Sequence, residues 1–288
     1  MADRGIVAVF GSMNMDLSVA CERIPRAGET VGGSGFITNA GGKGANQAVQ
    51  CARLGAQTTM VGCVGDDAFG RELLDTVRSS GADVSRVKIS ASQPTGIAHI
   101  QLEVSEQHVQ NRILVVPGAN YDLTPGDLAW LREGVKDYDL MMLQLELPME
   151  VVEFAAACAH SAGVPVMLNP APAAPLSPAL LACVTYLSPN EFEAALLAGL
   201  PLRVDENGVQ EDDLRQVTAV LRDRGVDKVI VTLGSNGSVL CDGLGIQKVP
   251  CVRMPEVKDP TAAGDSFVAA FCTGVTAGLP EREALAFA

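Results

Sequence analysis

One aspartate in this chain follows three small residues at what reads as the start of a helix, in the run Thr261-Ala262-Ala263-Gly264-Asp265-Ser266-Phe267. Asp259-Pro260 ahead of it forms turns, and an apolar helical pattern follows at once through Phe267, Val268, Ala270, Phe271 and Val275. A loop opening a helix exposes backbone N–H groups that have no intrahelical acceptor. Small side chains at Ala262, Ala263 and Gly264 let an anion reach those amides, and the positive end of the helix dipole favours it there. A carboxylate beside such an anion hole is electrostatically awkward unless it handles a proton. Phosphoryl transfer to a hydroxyl needs a base of this kind. An ordinary capping aspartate would look the same, since helix N-termini favour acidic residues, and this run alone leaves both readings open.

Two further runs sit near the N-terminus. In Gly11-Ser12-Met13-Asn14-Met15-Asp16 a single glycine replaces the three spaced glycines of a dinucleotide fingerprint. Asn14 and Asp16, at alternate positions of an extended chain after the first strand, are suited to gripping vicinal hydroxyls of a sugar. Asn39-Ala40-Gly41-Gly42-Lys43-Gly44-Ala45-Asn46 superficially matches a P-loop, but Ile37 stands where its first glycine should be. Gly44 also replaces the Ser or Thr that would bind magnesium. A glycine-rich turn entering a helix remains, with Lys43 and Asn46 near its N-terminus.

The run Ala262 to Phe267 resembles the C-terminal signature of the ribokinase family of sugar and nucleoside kinases, and Asn39 to Asn46 resembles its N-terminal signature. Alanine at 262, where much of the wider family has glycine, is similar to the ribokinases proper. The resemblance runs from Asn14 to Phe267 and implies a three-layer α/β/α fold with a small β-sheet lid. It implies ATP-dependent phosphorylation of D-ribose to ribose 5-phosphate, with Asp265 as the base and the amides of Ala262, Ala263 and Gly264 as the anion hole. Asn14, Asp16, Gly41, Gly42, Lys43, Asn46 and Glu146 (in Gln144-Leu145-Glu146), together with Asp265, are implied to bind the sugar. Asn190, Thr232, Gly234, Gly237 and Gly264 are implied to bind ATP. Glu193, in Asn190-Glu191-Phe192-Glu193, is implied to organise magnesium through water. Asp259 and Thr261 resemble positions that help bind potassium or a similar monovalent cation. A kinase for another pentose or for a nucleoside is the enzymatic alternative, but no aromatic residue flanks Asn14 or Lys43 to stack on a base. A catalytically impaired sugar-binding protein is the alternative outside enzymes.

Around these residues short β-rich runs alternate with helical patterns. Strands are expected at Ile6–Phe10, Thr58–Val64, Leu140–Leu143, Val164–Leu168, Val184–Ser188, Lys228–Thr232 and Ser238–Cys241. Helices are expected at Lys43–Leu54, Gly70–Ser79, Pro125–Val135, Met149–Ser161, Glu191–Ala198, Glu211–Asp223 and Ala263–Ala277. The alternation calls for βαβ units and a mostly parallel sheet covered on both faces, an α/β fold. Two stretches, about 17–39 and 95–116, alternate polar and apolar residues with turns and no helix. They are expected to form a small antiparallel sheet inserted in a single domain spanning 1–288. By the resemblance this is the lid, which in the family often pairs with a second lid to make a homodimer. The C-terminal end is expected to be short relative to the family, which usually runs on into a further loop.

Composition narrows the classes. With 288 residues and 48% hydrophobic against 19% charged, the chain can bury a sizeable core. A net charge of −13 argues against nucleic acid or anionic membrane as partners, and places any phosphate site among local amides and cations. No apolar run nears the ~20 residues of a membrane span, so a cytoplasmic protein is expected. Eight cysteines without a CxxC pair favour reduced, buried thiols. His99, His108 and His160 are not spaced as metal ligands.

Overall fold

A strand buried on both faces must be apolar at every position, and consecutive side chains must enter opposite cores. β1 (Ile6–Phe10) does this. Val7 and Val9 point into one buried cluster while Ala8 and Phe10 point into the other. The computed structural model describes residues 5–104, 109–205, 208–252, 254 and 261–288. After β1 the chain leaves for β2 (Asn14–Cys21) and β3 (Gly35–Gly41), then enters helix α1 (Lys43–Arg53). β4 (Gln57–Gly65), helix α2 (Ala68–Ser79) and β5 (Asp83–Ser90) follow, then β6 (Gly96–Val104) and β7 (Val109–Val116).

A short helix α3 (Leu131–Gly134) leads to β8 (Leu140–Leu143), α4 (Met149–Ser161) and β9 (Val166–Leu168). Next come α5 (Pro178–Leu181), β10 (Tyr186–Leu187), α6 (Glu191–Ala198) and a hairpin of β11 (Val204–Asp205) with β12 (Gly208–Val209). Helix α7 (Glu211–Asp223), β13 (Lys228–Thr232), β14 (Ser238–Cys241) and β15 (Ile246–Val249) precede α8 (Ala263–Thr276) and α9 (Glu281–Phe287). The main sheet has nine strands in the order β15-β14-β13-β10-β9-β8-β1-β4-β5. All its pairings are parallel except the two hairpin steps from β13 to β15.

Helices cover both faces. Residues of α4, α6 and α7 share a core with Phe10, Met141 and Leu143, whereas residues of α1, α2, α8 and α9 share the opposite one with Val9, Met142 and Met167. Burying a large side chain such as Phe10 or Phe271 stabilises by about 1.5–3 kcal/mol, and both are fully buried. The three-layer arrangement expected from the resemblance is therefore present. The described residues contain no helix long and apolar enough to cross a membrane.

Three expectations need correction. The helix expected over Pro125–Val135 shrinks to Leu131–Gly134. Asp127 instead accepts from Thr124 N (2.9 Å) and Thr124 Oγ1 (2.7 Å), side-chain bonds that hold a turn in place of a helical one. β5 and β15, both at edges of the main sheet, were not anticipated. The second sheet, ordered β3-β2-β6-β7, is mixed rather than antiparallel: β2 and β6 run parallel because α1, β4, α2 and β5 intervene between them.

Candidate active site

Helix α8 starts from a strained residue. Ala262 has φ 60°, which makes it the one non-glycine residue with positive φ among the described residues. No side chain caps this helix end, so its first-turn amides are available to an outside acceptor. Around Gly264 the space is open, with nothing within 4 Å of where a Cβ would stand. One residue on, Asp265 is buried, only 7% exposed.

The carboxylate of Asp265 meets α1. Asn46 Nδ2 donates to its Oδ2 and Gln47 Nε2 to its Oδ1, each at 3.0 Å. Two glycines let α1 reach this place. Gly42, its N-cap, has φ 91°, a conformation that side-chain-bearing residues rarely adopt. Gly44 lies backbone to backbone against the turn after β1: a Cβ there would come within 2.5 Å of the Gly11 carbonyl carbon.

Lys43, Asn190, Glu193, Thr232 and Ala262 through Asp265 line one cleft together with Asn169 and Ser188. The cleft sits beyond the carboxyl ends of β9, β10 and β13, the usual ligand position in an open α/β sheet. Asn190 and Glu193 form a capping box on α6, with Glu193 N to Asn190 Oδ1 at 2.8 Å and Asn190 N to Glu193 Oε2 at 2.9 Å. Burial raises the Glu193 carboxyl above its usual range, while the Asn190 amide and the Lys43 charge pull the other way. Thr232 ends β13 and leads into a tight turn closed by Leu233 N donating to Gly237 O at 2.8 Å, with Gly234 opening a 3-10 turn inside it.

A second group adjoins the first. Glu146 Oε2 accepts from Lys43 N at 3.3 Å and from the Ser12 hydroxyl. Burial, and then the Glu146 charge, push the Asp16 carboxyl up to about 6. Asn14 and Asp16 open β2 rather than closing β1, where they pair with Gly41 and Asn39 of β3. The Asn14 oxygen accepts from Asn120 Nδ2 at 2.8 Å. Thr261 is exposed. Asp259 and His108 lie outside the described residues.

Sequence reading missed Ser12, Gln47, Asn120, Asn169 and Ser188. Ser12, Gln144, Asn169 and Ser188 carry a usable signal: each is a polar residue within two positions of the end of a buried parallel strand, and each is buried. Gln47 and Asn120 carry none, because their partners are 218 and 106 residues away.

Residues 6–288 match the family described as pfkB family carbohydrate kinase. The chain belongs to this family. It is an enzyme, a carbohydrate kinase that transfers a phosphoryl group. The chain is 39% identical to the ribokinase of Schizosaccharomyces pombe, over 98% of this chain and 89% of that protein. It is 38% identical to the ribokinase of Bacillus subtilis with the same coverages. Among solved structures, that of Arabidopsis thaliana ribokinase complexed with ribose and ATP superposes on this kinase with a TM-score of 0.88 at 33% identity. That match covers 98% of this chain and 89% of the other.

Proposed function

We propose that this kinase phosphorylates D-ribose with ATP, giving ribose 5-phosphate, with Asp265 as the general base. The observation that carries the reading is the meeting, at one helix end, of uncapped amides and a buried carboxylate whose oxygens both face side chains of α1. The adjoining Asp16 and Glu146 are acceptors suited to sugar hydroxyls, and Asn14, the Gly41-Gly42 turn, Lys43 and Asn46 complete that side. The primary hydroxyl gives its proton to Asp265 as its oxygen bonds to the γ-phosphorus. The bond from phosphorus to the β,γ-bridging oxygen breaks, and its electron pair leaves on ADP. Amides of Ala262 to Asp265 take up charge on the transferring group. Asn190, Thr232, Gly234, Gly237 and Gly264 hold the nucleotide.

The residues present fit magnesium in one respect. Glu193 is a half-buried carboxylate in the same cleft, and magnesium that keeps most of its waters needs only one or two such groups. Bound there through water, it would offset the phosphate charge. Thr261, with Asp259, is proposed for a monovalent cation. The second sheet is proposed as a lid that excludes water from the reaction. Its apolar residues Phe36 and Leu114, which the strand register puts on one face, are 63% and 67% exposed, which supports pairing with a second lid in a homodimer. Sedimentation velocity should then give about twice the 30.0 kDa chain mass; a single 30 kDa species would contradict the pairing. We place the enzyme in the cytoplasm, with no nucleic-acid or membrane partner.

ADP release with magnesium and ATP across ribose, 2-deoxyribose, other pentoses, hexoses and nucleosides, with and without potassium, tests the substrate. Ribose is expected to lead. A nucleoside or hexose turning over faster would overturn the assignment.

Asp16 adds a pH dependence. Its carboxyl is raised to about 6 by burial and by Glu146, so it is a carboxylate acceptor above that pH and neutral below it. The KM for ribose should climb as pH falls through about 6, by up to ~10-fold per unit. Asp16→Asn should show a high KM with no such rise. A wild-type KM that stays level from pH 7.5 to 5 would remove Asp16 from sugar binding. Because the folded value exceeds the ordinary 3.8, this carboxyl also lowers folding stability as pH rises from 3.8 to about 6, with no further change above that.

A further inference from the structure

The two oxygens of Asp265 are not held alike. Asn46, on Oδ2, is half-buried, whereas Gln47, on Oδ1, is fully buried. Gln47 is itself fixed from two sides. Its Oε1 accepts from Gln144 Nε2 at 2.6 Å, and its Nε2 also faces Asn169 Oδ1 at 3.4 Å. Asn169 is oriented in turn, because its Nδ2 donates to the Ser188 carbonyl at 2.9 Å. Reversing the Gln47 amide would set oxygen against the Asp265 carboxylate and amine against the Gln144 amine. The network therefore admits one orientation.

Taking Asp265 as the base, as proposed above, we infer that Gln47 is its positioning residue, through a buried amide chain running Gln144 to Gln47 to Asp265. Gln47 keeps its hydrogen bond to Oδ1 whether or not a sugar is present. Asn46 is the more exposed of the two, so an incoming hydroxyl can take over donation to Oδ2. Oδ2 is then the oxygen that accepts the hydroxyl proton, while Gln47 stops the carboxylate from rotating and compensates its charge away from water. Gln144 and Asn169 stand just beyond two adjacent parallel strands, β8 and β9, so the chain ties the base to the rigid centre of the sheet.

Gln47→Met keeps the volume and removes the donor. The expected result is a ~10- to 100-fold fall in kcat, with ribose affinity by calorimetry unchanged. In an Asp265→Asn background the same substitution should lower the residual rate no further, because there is no carboxylate left to orient. A folded Gln47→Met enzyme with kcat within about threefold of wild type would overturn the inference. So would an equal loss in both backgrounds, which is what a purely structural role gives. If Gln47→Met does not fold, Gln144→Met removes the donor that orients Gln47 and should lower kcat ~3- to 10-fold; unchanged turnover there would overturn the inference as well. Near-normal turnover of Asp265→Asn alone would overturn the base assignment, and this inference with it.

Discussion

Asp265→Asn should lose turnover by about 100- to 10,000-fold, the usual cost of removing a general base, while its ribose affinity changes little. Asparagine matches aspartate in shape, and its carbonyl oxygen can still accept from Gln47, whose amide lies 3.0 Å from Oδ1. Asn46 can meet the new NH2 group by turning its own amide over, so no buried polar atom need be stranded. The helix-dipole interaction with the negative charge is worth only about 0.3–1 kcal/mol at an N-terminus. A rate loss of this size with an intact fold can therefore be read as lost proton transfer. Steady-state ADP release and ribose calorimetry on the same preparation check it, and near-normal turnover would remove Asp265 from the chemistry.

Gly44→Ala is the second substitution expected to have a large effect, and here physics opposes propensity. In an exposed helix the change would stabilise by about 1 kcal/mol. At this position the new methyl would lie 2.5 Å from the Gly11 carbonyl carbon, 2.6 Å from the Gly11 Cα and 2.8 Å from the Ser12 nitrogen, all backbone atoms that cannot swing aside. Overpacking against flexible side chains costs about 1–3 kcal/mol; against backbone on both sides we expect about 3 kcal/mol or more. That corresponds to a fall of roughly 5–10 °C in Tm for a chain of this size. Since α1 must shift outward, Asn46 and Gln47 should lose their contacts with Asp265, and kcat should drop with stability. Thermal melting with kinetics on the soluble fraction decides; a wild-type Tm would show that the close approach is relieved more cheaply than the geometry implies.

Much of this could be read from residue order, for identifiable reasons. Ile6–Phe10 and Leu140–Leu143 are apolar at each position, as strands buried on both faces must be. The capping box at Asn190 and Glu193 is local, so the start of α6 was readable to the residue. Edge strands were harder: Asp83–Ser90 mixes polar and apolar positions and is half exposed. The parallel pairing of β2 with β6 depends on which strands the intervening βαβ segments leave free, and turn chemistry does not record that. In the site, the residues that touch solvent stood out by type, but the amides behind them did not. Gln47 reads as one more polar residue on a helix until α8, more than two hundred positions later, brings Asp265 against it.

The most direct test of the central claim is to follow the product. Ribose labelled with 13C at C5, incubated with this enzyme, magnesium and ATP, should give a single phosphate ester whose 31P signal couples to the labelled carbon, with one ADP formed per ester. Phosphorus on any other oxygen, or ribose binding without ester formation, would contradict the account.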